Sequence, residues 1–127
     1  MHIYTDASRR ENIIGIGYYI IYDNTYFTGN RYIKEEHTSM EAEYFAVMEG
    51  LRIALQHSRE DTVLHTDCKP LIQKMTVEST GKWNEYKKGY DRLTQKFYSF
   101  EIEYVPREKN ETAHRQAKEA LWEGQES

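Results

Sequence analysis

Three acidic side chains occupy positions from which chemistry can be done. Asp6 closes a short strand-like run, His2-Ile3-Tyr4-Thr5-Asp6, and Asp67 follows a second one, Thr62-Val63-Leu64-His65-Thr66. Glu43 falls between them, in the first turns of an amphipathic stretch and beside Phe45 and Ala46 rather than on its polar side. If the two strands are parallel neighbours, Asp6 and Asp67 emerge at the same sheet edge, where open α/β sheets place their sites. An acid beside apolar positions costs free energy unless it is paired or binds a cation. Three carboxylates brought together repel one another and call for a hard divalent ion. Taken singly, each acid reads first as a cap or surface residue. Their joint placement at strand end, helix start and strand end favours a metal site.

The elements that must deliver these residues follow from periodicity. Ile13 to Tyr22 is a β run rich in branched and aromatic residues, and its alternate glycines, Gly15 and Gly17, point to another backbone or a bulge packing close to one face. Asp23-Asn24 signals a turn, and Thr25 to Glu35 reads as a third strand broken or bulged at Gly29-Asn30. The period then changes. From Ser39 to His57, apolar residues recur at helical spacing through Ala42, Phe45, Ala46, Leu51 and Ala54, with Thr38 or Ser39 as a cap. Beyond the Thr62–Thr66 strand, Pro70 suits the first turn of a short helix through Met75. Trp83 to Tyr98 reads as a further helix, Phe100 to Val105 as a strand, and Asn110 to Trp122 as a last helix closing near Gly124. Ala113, Ala117, Ala120 and Leu121 form its packing face. A helix between strands is a natural crossover that sets the later strands parallel to the first. The expected class is α/β, in one domain spanning residues 1–127, with no internal repeat or linker.

Composition bounds the function classes. The 127 residues are 39% hydrophobic and 30% charged, with only 7 Gly and 2 Pro, which argues against disorder. No apolar run is long enough to cross a membrane, and the strand pattern begins at once without a basic-then-apolar leader. The single cysteine, Cys68, rules out an intramolecular disulfide or a multi-cysteine zinc site and suits a reducing cytoplasm. A net charge of −4 is not the usual footprint of a nucleic-acid binder. Its distribution is uneven, however. Residues 1–67 carry 6 basic and 11 acidic side chains, residues 68–127 carry 11 and 10, and Lys82 to Lys96 is locally basic.

The motifs carry a resemblance. Ile3-Tyr4-Thr5-Asp6-Ala7-Ser8, Glu41-Ala42-Glu43-Tyr44, Leu64-His65-Thr66-Asp67-Cys68 and Val105-Pro106-Arg107-Glu108-x-Asn110-x-x-Ala113 resemble the ribonuclease H family, in the right order over the whole chain. The likeness is to type 1 members of the short bacterial, archaeal or reverse-transcriptase-like branch. It implies a five-stranded mixed sheet flanked by helices and hydrolysis of the RNA strand of an RNA/DNA hybrid. It also implies two divalent ions, Mg2+ or Mn2+, with Asp6 bridging both and Glu43 and Asp67 holding one of them. The fourth acid of the family pattern belongs after Ala113, where this chain has His114. That imidazole reads as a variant ligand or proton shuttle, as the mark of a weakened catalyst, or as an off-site residue with Glu111 supplying the missing charge.

Further candidates are weighed against plainer roles. Ser8, Arg9, Asn12 and Ser39 flank the acids and suit contacts with phosphate or a 2′-hydroxyl. Arg107 stands where many members carry a mobile histidine and is a candidate phosphate contact. Trp83 and Lys87 lie in the basic stretch that takes the place of the family's substrate-handling protrusion, though Trp83 equally suits a core anchor. His65 reads as a packed sheet residue and His37 as exposed. The alternative function is a weakened or inactive nucleic-acid-binding domain on the same fold. A proofreading exonuclease on a related fold fits less well, because Asp6 is followed by Ala7-Ser8 rather than by a second acid. The implied partner is an RNA/DNA hybrid; the sequence implies no membrane or protein partner and no oligomeric state.

Overall fold

A computed structural model describes residues 1–127. Strands β1 (His2–Arg10), β2 (Ile13–Tyr22) and β3 (Thr25–Ile33) precede helix α1 (Ser39–Leu55) and strand β4 (Thr62–Thr66). Helices α2 (Lys69–Thr76) and α3 (Lys82–Thr94), strand β5 (Phe100–Tyr104), a 3-10 turn (Arg107–Lys109) and helix α4 (Glu111–Glu126) complete the chain. The five strands form one sheet in the order β3-β2-β1-β4-β5. The first three are antiparallel, while β4 is parallel to β1 and β5 to β4. This is the mixed, helix-flanked sheet expected from the sequence. No helix is long and apolar enough to cross a membrane.

Period-two alternation along the strands separates two faces. Ile3 of β1, Ile20 of β2 and Leu64 of β4 turn toward α1 and α2, where they form a buried cluster with Tyr44, Val47, Leu51, Leu71 and Met75. Helix α1 starts with a capping box: Thr38 Oγ1 accepts from the Glu41 amide at 3.1 Å, and Glu41 Oε1 accepts from the Thr38 amide at 2.9 Å. Glu41 is buried, and it also receives Lys82 Nζ and Tyr86 Oη, each at 3.0 Å. The start of α1 is thereby fastened to α3, and these contacts hold the Glu41 carboxyl down at about 2.

On the opposite face, α4 lies against β2 through the two alternate glycines. A Cβ on Gly15 would stand 2.1 Å from the Ala117 carbonyl oxygen, and one on Gly17 would stand 2.2 Å from that of Ala113. With Ala113, Ala117 and Ala120 fully buried beneath it, the helix backbone approaches the strand directly.

Four local expectations need correction. Strand β1 does not end at Asp6; its hairpin pairing with β2 continues to Arg10↔Ile13. What ends early is the pairing with β4, whose last partners are Tyr4 and His65. Strand β3 has no bulge at Gly29-Asn30, because its register with β2 is continuous from Thr25 to Ile33. Gly29 instead leaves room for the Tyr18 ring, whose Oη would be 2.1 Å from an added Cβ. Helix α3 stops at Thr94 rather than Tyr98, which lets Phe97 turn into the core. Finally, α4 passes through Gly124 to Glu126, and that glycine accommodates the Tyr32 ring of β3.

Candidate active site

Strands β1 and β4 part beyond Tyr4 and His65, and the opening receives the acids. Asp6 lies two residues past the last β1–β4 pair, Asp67 directly follows β4, and Glu43 projects from the second turn of α1. One carboxylate oxygen from each lies within 4.8 Å of the others. Asp6 is buried, and Glu43 Oε1 is buried with no hydrogen-bond partner. Burial pushes the Glu43 carboxyl well above its ordinary range, and the charges of Asp6 and Asp67 push it further. Asp6 is raised by burial and by Asp67, against an opposing pull from its bond to His114.

His114 is the cluster's one cationic or donor side chain in direct contact. It stands on the first turn of α4, and its Nδ1 lies 2.7 Å from Asp6 Oδ2. With Asp6 ionised, Nδ1–H donates to the carboxylate. Glu111 is exposed and faces a different groove, with Tyr4 and Tyr19, so it does not complete the cluster. The start of α4 is held in place by Asn110, which is buried and donates Nδ2–H to the Thr5 carbonyl oxygen at 2.9 Å.

The donor set fits a hard divalent cation. It offers only carboxylate oxygens at the centre, one of them buried and unpaired, and its one ion-pair contact is that of Asp6 with His114. A bound dication would relieve the repulsion that raises Asp6 and Glu43.

The acids form the floor of an open cleft of about 430 Å³. Ser39, Met40, Tyr104 and Arg107 stand on its walls, so two of the flanking candidates, Ser39 and Arg107, face the acids. Arg9 is exposed beside His37 and Ser39 at the start of α1. Ser8 lies on β1 opposite Gly15, and Asn12 occupies the β1–β2 turn. Trp83 is half-buried, edge-on to Tyr44 and Tyr86, and Lys87 pairs with Asp91 at 2.8 Å. Neither belongs to the cleft. His37, expected to be exposed, is half-buried with its ring edge-on to Phe45.

Sequence reasoning passed over Tyr104 and Asn110. Tyr104 ends β5 at the cleft wall with Lys69 Nζ 4.5 Å from its ring centre, a proximity that only the tertiary fold creates. Asn110 stood inside a quoted motif, but its burial against β1 depends on the gap between β1 and β4.

The reverse transcriptase-like family matches residues 6–120. The chain is 26% identical to ribonuclease H1 from the halophilic archaeon Halobacterium salinarum, covering 96% of this chain and 97% of that one at a TM-score of 0.86. The N-terminal ribonuclease H domain of a Mycobacterium tuberculosis protein superposes at 0.86 with 22% identity, over 98% of this chain and 95% of the other. The LC11 ribonuclease H1 from a compost metagenome, solved with an RNA/DNA hybrid, superposes at 0.84 with 24% identity over 97% of each chain. No curated protein matches the chain. The family match contains Asp6, Glu43, Asp67 and His114 and nearly the whole sheet, and the chain belongs to the ribonuclease H family, in its reverse transcriptase-like group.

Proposed function

We propose that the chain is a metal-dependent endonuclease that hydrolyses the RNA strand of RNA/DNA hybrids, leaving a 3′-hydroxyl and a 5′-phosphate. The observation that carries this reading is the trio Asp6, Glu43 and Asp67, gathered within 4.8 Å with a buried, unpaired Glu43 oxygen, at the edge of an open cleft. Asp6 would be shared by two ions, Mg2+ or Mn2+, with Glu43 and Asp67 holding one of them. Divalent ions held there supply activation of the attacking water and stabilisation of the leaving oxygen.

The chain's own residues do the rest. Arg107 and Ser39 face the acids across the cleft and hold the phosphate beside them. Ser8, Arg9 and Asn12 extend this contact along the strand, toward phosphates and the 2′-hydroxyl that distinguishes RNA. Lys87 adds a backbone contact further out, with Trp83 seating the helix that presents it. His114 orients Asp6 through its 2.7 Å bond. The hybrid carried by the LC11 relative supports the substrate class. The single free thiol, Cys68, suits a cytoplasmic setting.

A second reading rests on His114 itself. With an imidazole where the family pattern has an acid, the cluster is one negative charge short, and a hybrid-binding domain without turnover is the alternative. An end-labelled RNA/DNA hybrid incubated with Mg2+ or Mn2+ separates the two. Cleavage lost in Asp6→Asn supports the enzyme; binding without cleavage in either metal supports the alternative.

A further inference from the structure

Helix α4 covers only part of its face of the sheet. It rests on Gly15 and Gly17, and register extends that footprint to Ser8 and Asp6 on β1 and to Tyr32 and Asn30 on β3. Two rows of side chains on the same face remain uncovered. One runs Thr28, Tyr19, Tyr4, His65, Glu103 across the five strands, and the other runs Tyr26, Ile21, His2, Val63, Glu101. None of these ten residues is buried, and Tyr26 is 68% exposed.

The rings in these rows form a continuous strip. His2 stacks on His65, and His65 stacks on Tyr4 with ring centres 4.3 Å apart. Tyr4 leans on Tyr19, which meets Tyr26 edge-on at 5.7 Å. Between the strip and the first turn of α4 runs a groove of about 340 Å³, with Tyr4, Tyr19 and Ile21 on one side and Glu108, Lys109 and Glu111 on the other. Glu101 and Glu103 close the strip at β5. Four carboxylates therefore surround an aromatic floor, with one lysine among them. This groove shares no lining residue with the acidic cleft.

We propose that this uncovered sheet face is a docking surface for an extended, arginine-bearing segment of a partner protein. A guanidinium is planar, stacks on a tyrosine face and pairs with a carboxylate at its edge, so the strip and its acidic rim meet both requirements together. Charge decides against the other occupants. A phosphate backbone would meet Glu101, Glu103, Glu108 and Glu111, and it has only Lys109 to attract it. A second copy related by a two-fold axis would bring the same acidic rim against itself. The surface is independent of the nuclease reading and stands or falls separately.

The test uses a fluorescein-labelled peptide of alternating arginine and leucine, with a glutamate-for-arginine peptide as control. Anisotropy is read at about 50 mM salt, where surface charge pairs are weakly screened, with Mg2+ present. The arginine peptide should bind saturably and the glutamate peptide should not. Tyr19→Ala should weaken binding about tenfold, while Tyr19→Phe, which keeps the ring, should bind as wild type does. Glu103→Gln combined with Glu111→Gln should weaken binding about fivefold and flatten its salt dependence. Asp6→Asn should leave it unchanged. The proposal is overturned if Tyr19→Ala binds normally while retaining its melting temperature, or if Asp6→Asn abolishes binding. Equal binding of both peptides, or a dimer lost in Tyr19→Ala with no peptide binding, overturns it as well.

Discussion

Replacing Gly17 by alanine tests whether the β2–α4 contact positions the site. The new Cβ would lie 2.2 Å from the Ala113 carbonyl oxygen and 2.4 Å from the Ala117 amide nitrogen. Ordinary contact begins at 3.4 Å, so α4 must retreat by about 1.2 Å. Both obstacles are backbone atoms, and no rotamer change relieves them. Overpacking of this kind costs about 1–3 kcal/mol. A retreat of that size also breaks the 2.9 Å bond from Asn110 to the Thr5 carbonyl, and leaving those buried groups unpaired adds about 1–3 kcal/mol. The expected loss is about 2–6 kcal/mol, a large share of the stability typical of one domain. The melting temperature should fall by about 8–24 °C. Gly29→Ala is the internal control. Its Cβ would come equally close, 2.1 Å, but to the hydroxyl end of the Tyr18 side chain, which can swing aside for about 1 kcal/mol. Urea unfolding followed by circular dichroism measures both. A Gly17→Ala variant within about 0.5 kcal/mol of wild type, or a Gly29→Ala variant equally destabilised, would refute the reasoning.

Three further outcomes are expected. Glu43→Gln should stabilise the metal-free chain at neutral pH by about 1–2 kcal/mol, because it removes a buried charge that opposes folding. The folded chain holds the Glu43 proton more tightly than the unfolded one, so this carboxyl favours folding below 4.5, and its contribution is lost as pH rises through the raised folded value. Millimolar Mn2+ should raise the unfolding midpoint of wild type but not of Glu43→Gln. Glu41→Gln should cost about 1–2 kcal/mol at pH 7: a glutamine can still close the capping box, but the bonds from Thr38 and Tyr86 lose their charge assistance, while the pair with exposed Lys82 is screened and adds little. The Glu41 carboxyl is depressed by folding, so its contribution is present above 4.5 and disappears as pH falls toward about 2; urea midpoints of the two proteins should converge across that window. His114→Asp should raise Mg2+-supported hybrid cleavage relative to Mn2+, as a fourth carboxylate restores the negative charge that the imidazole beside Asp6 lacks, and initial rates in the two metals measure it.

The features legible in the sequence were those whose signal is local. Alternation at Gly15 and Gly17 pointed to a close backbone or a bulge, and it is the backbone of α4 that lies there. Thr38 or Ser39 marked the start of α1, and Thr38 is the cap. The placements of Asp6, Glu43 and Asp67 followed from strand and helix boundaries, even though β1 proved longer than expected. Gly29 and Gly124 were misread because a missing Cβ looks the same in sequence whatever needs the space. At Gly29 the cause was a cross-strand Tyr18 ring, and at Gly124 it was Tyr32 from a distant strand. The burial of Asn110, the approach of Lys69 to Tyr104 and the strip from His2 to Tyr26 are likewise products of long-range pairing, which no window of the sequence contains.

The most direct test of the central claim is single-turnover cleavage of an RNA/DNA hybrid with each strand labelled separately. Wild type with Mg2+ or Mn2+ should cut the RNA strand alone and stop when the metal is chelated. Asp6→Asn should slow the reaction by at least ~10²-fold at an unchanged fold. Cleavage that survives chelation, or that proceeds at the wild-type rate in Asp6→Asn, would contradict a metal-dependent nuclease built on these three carboxylates.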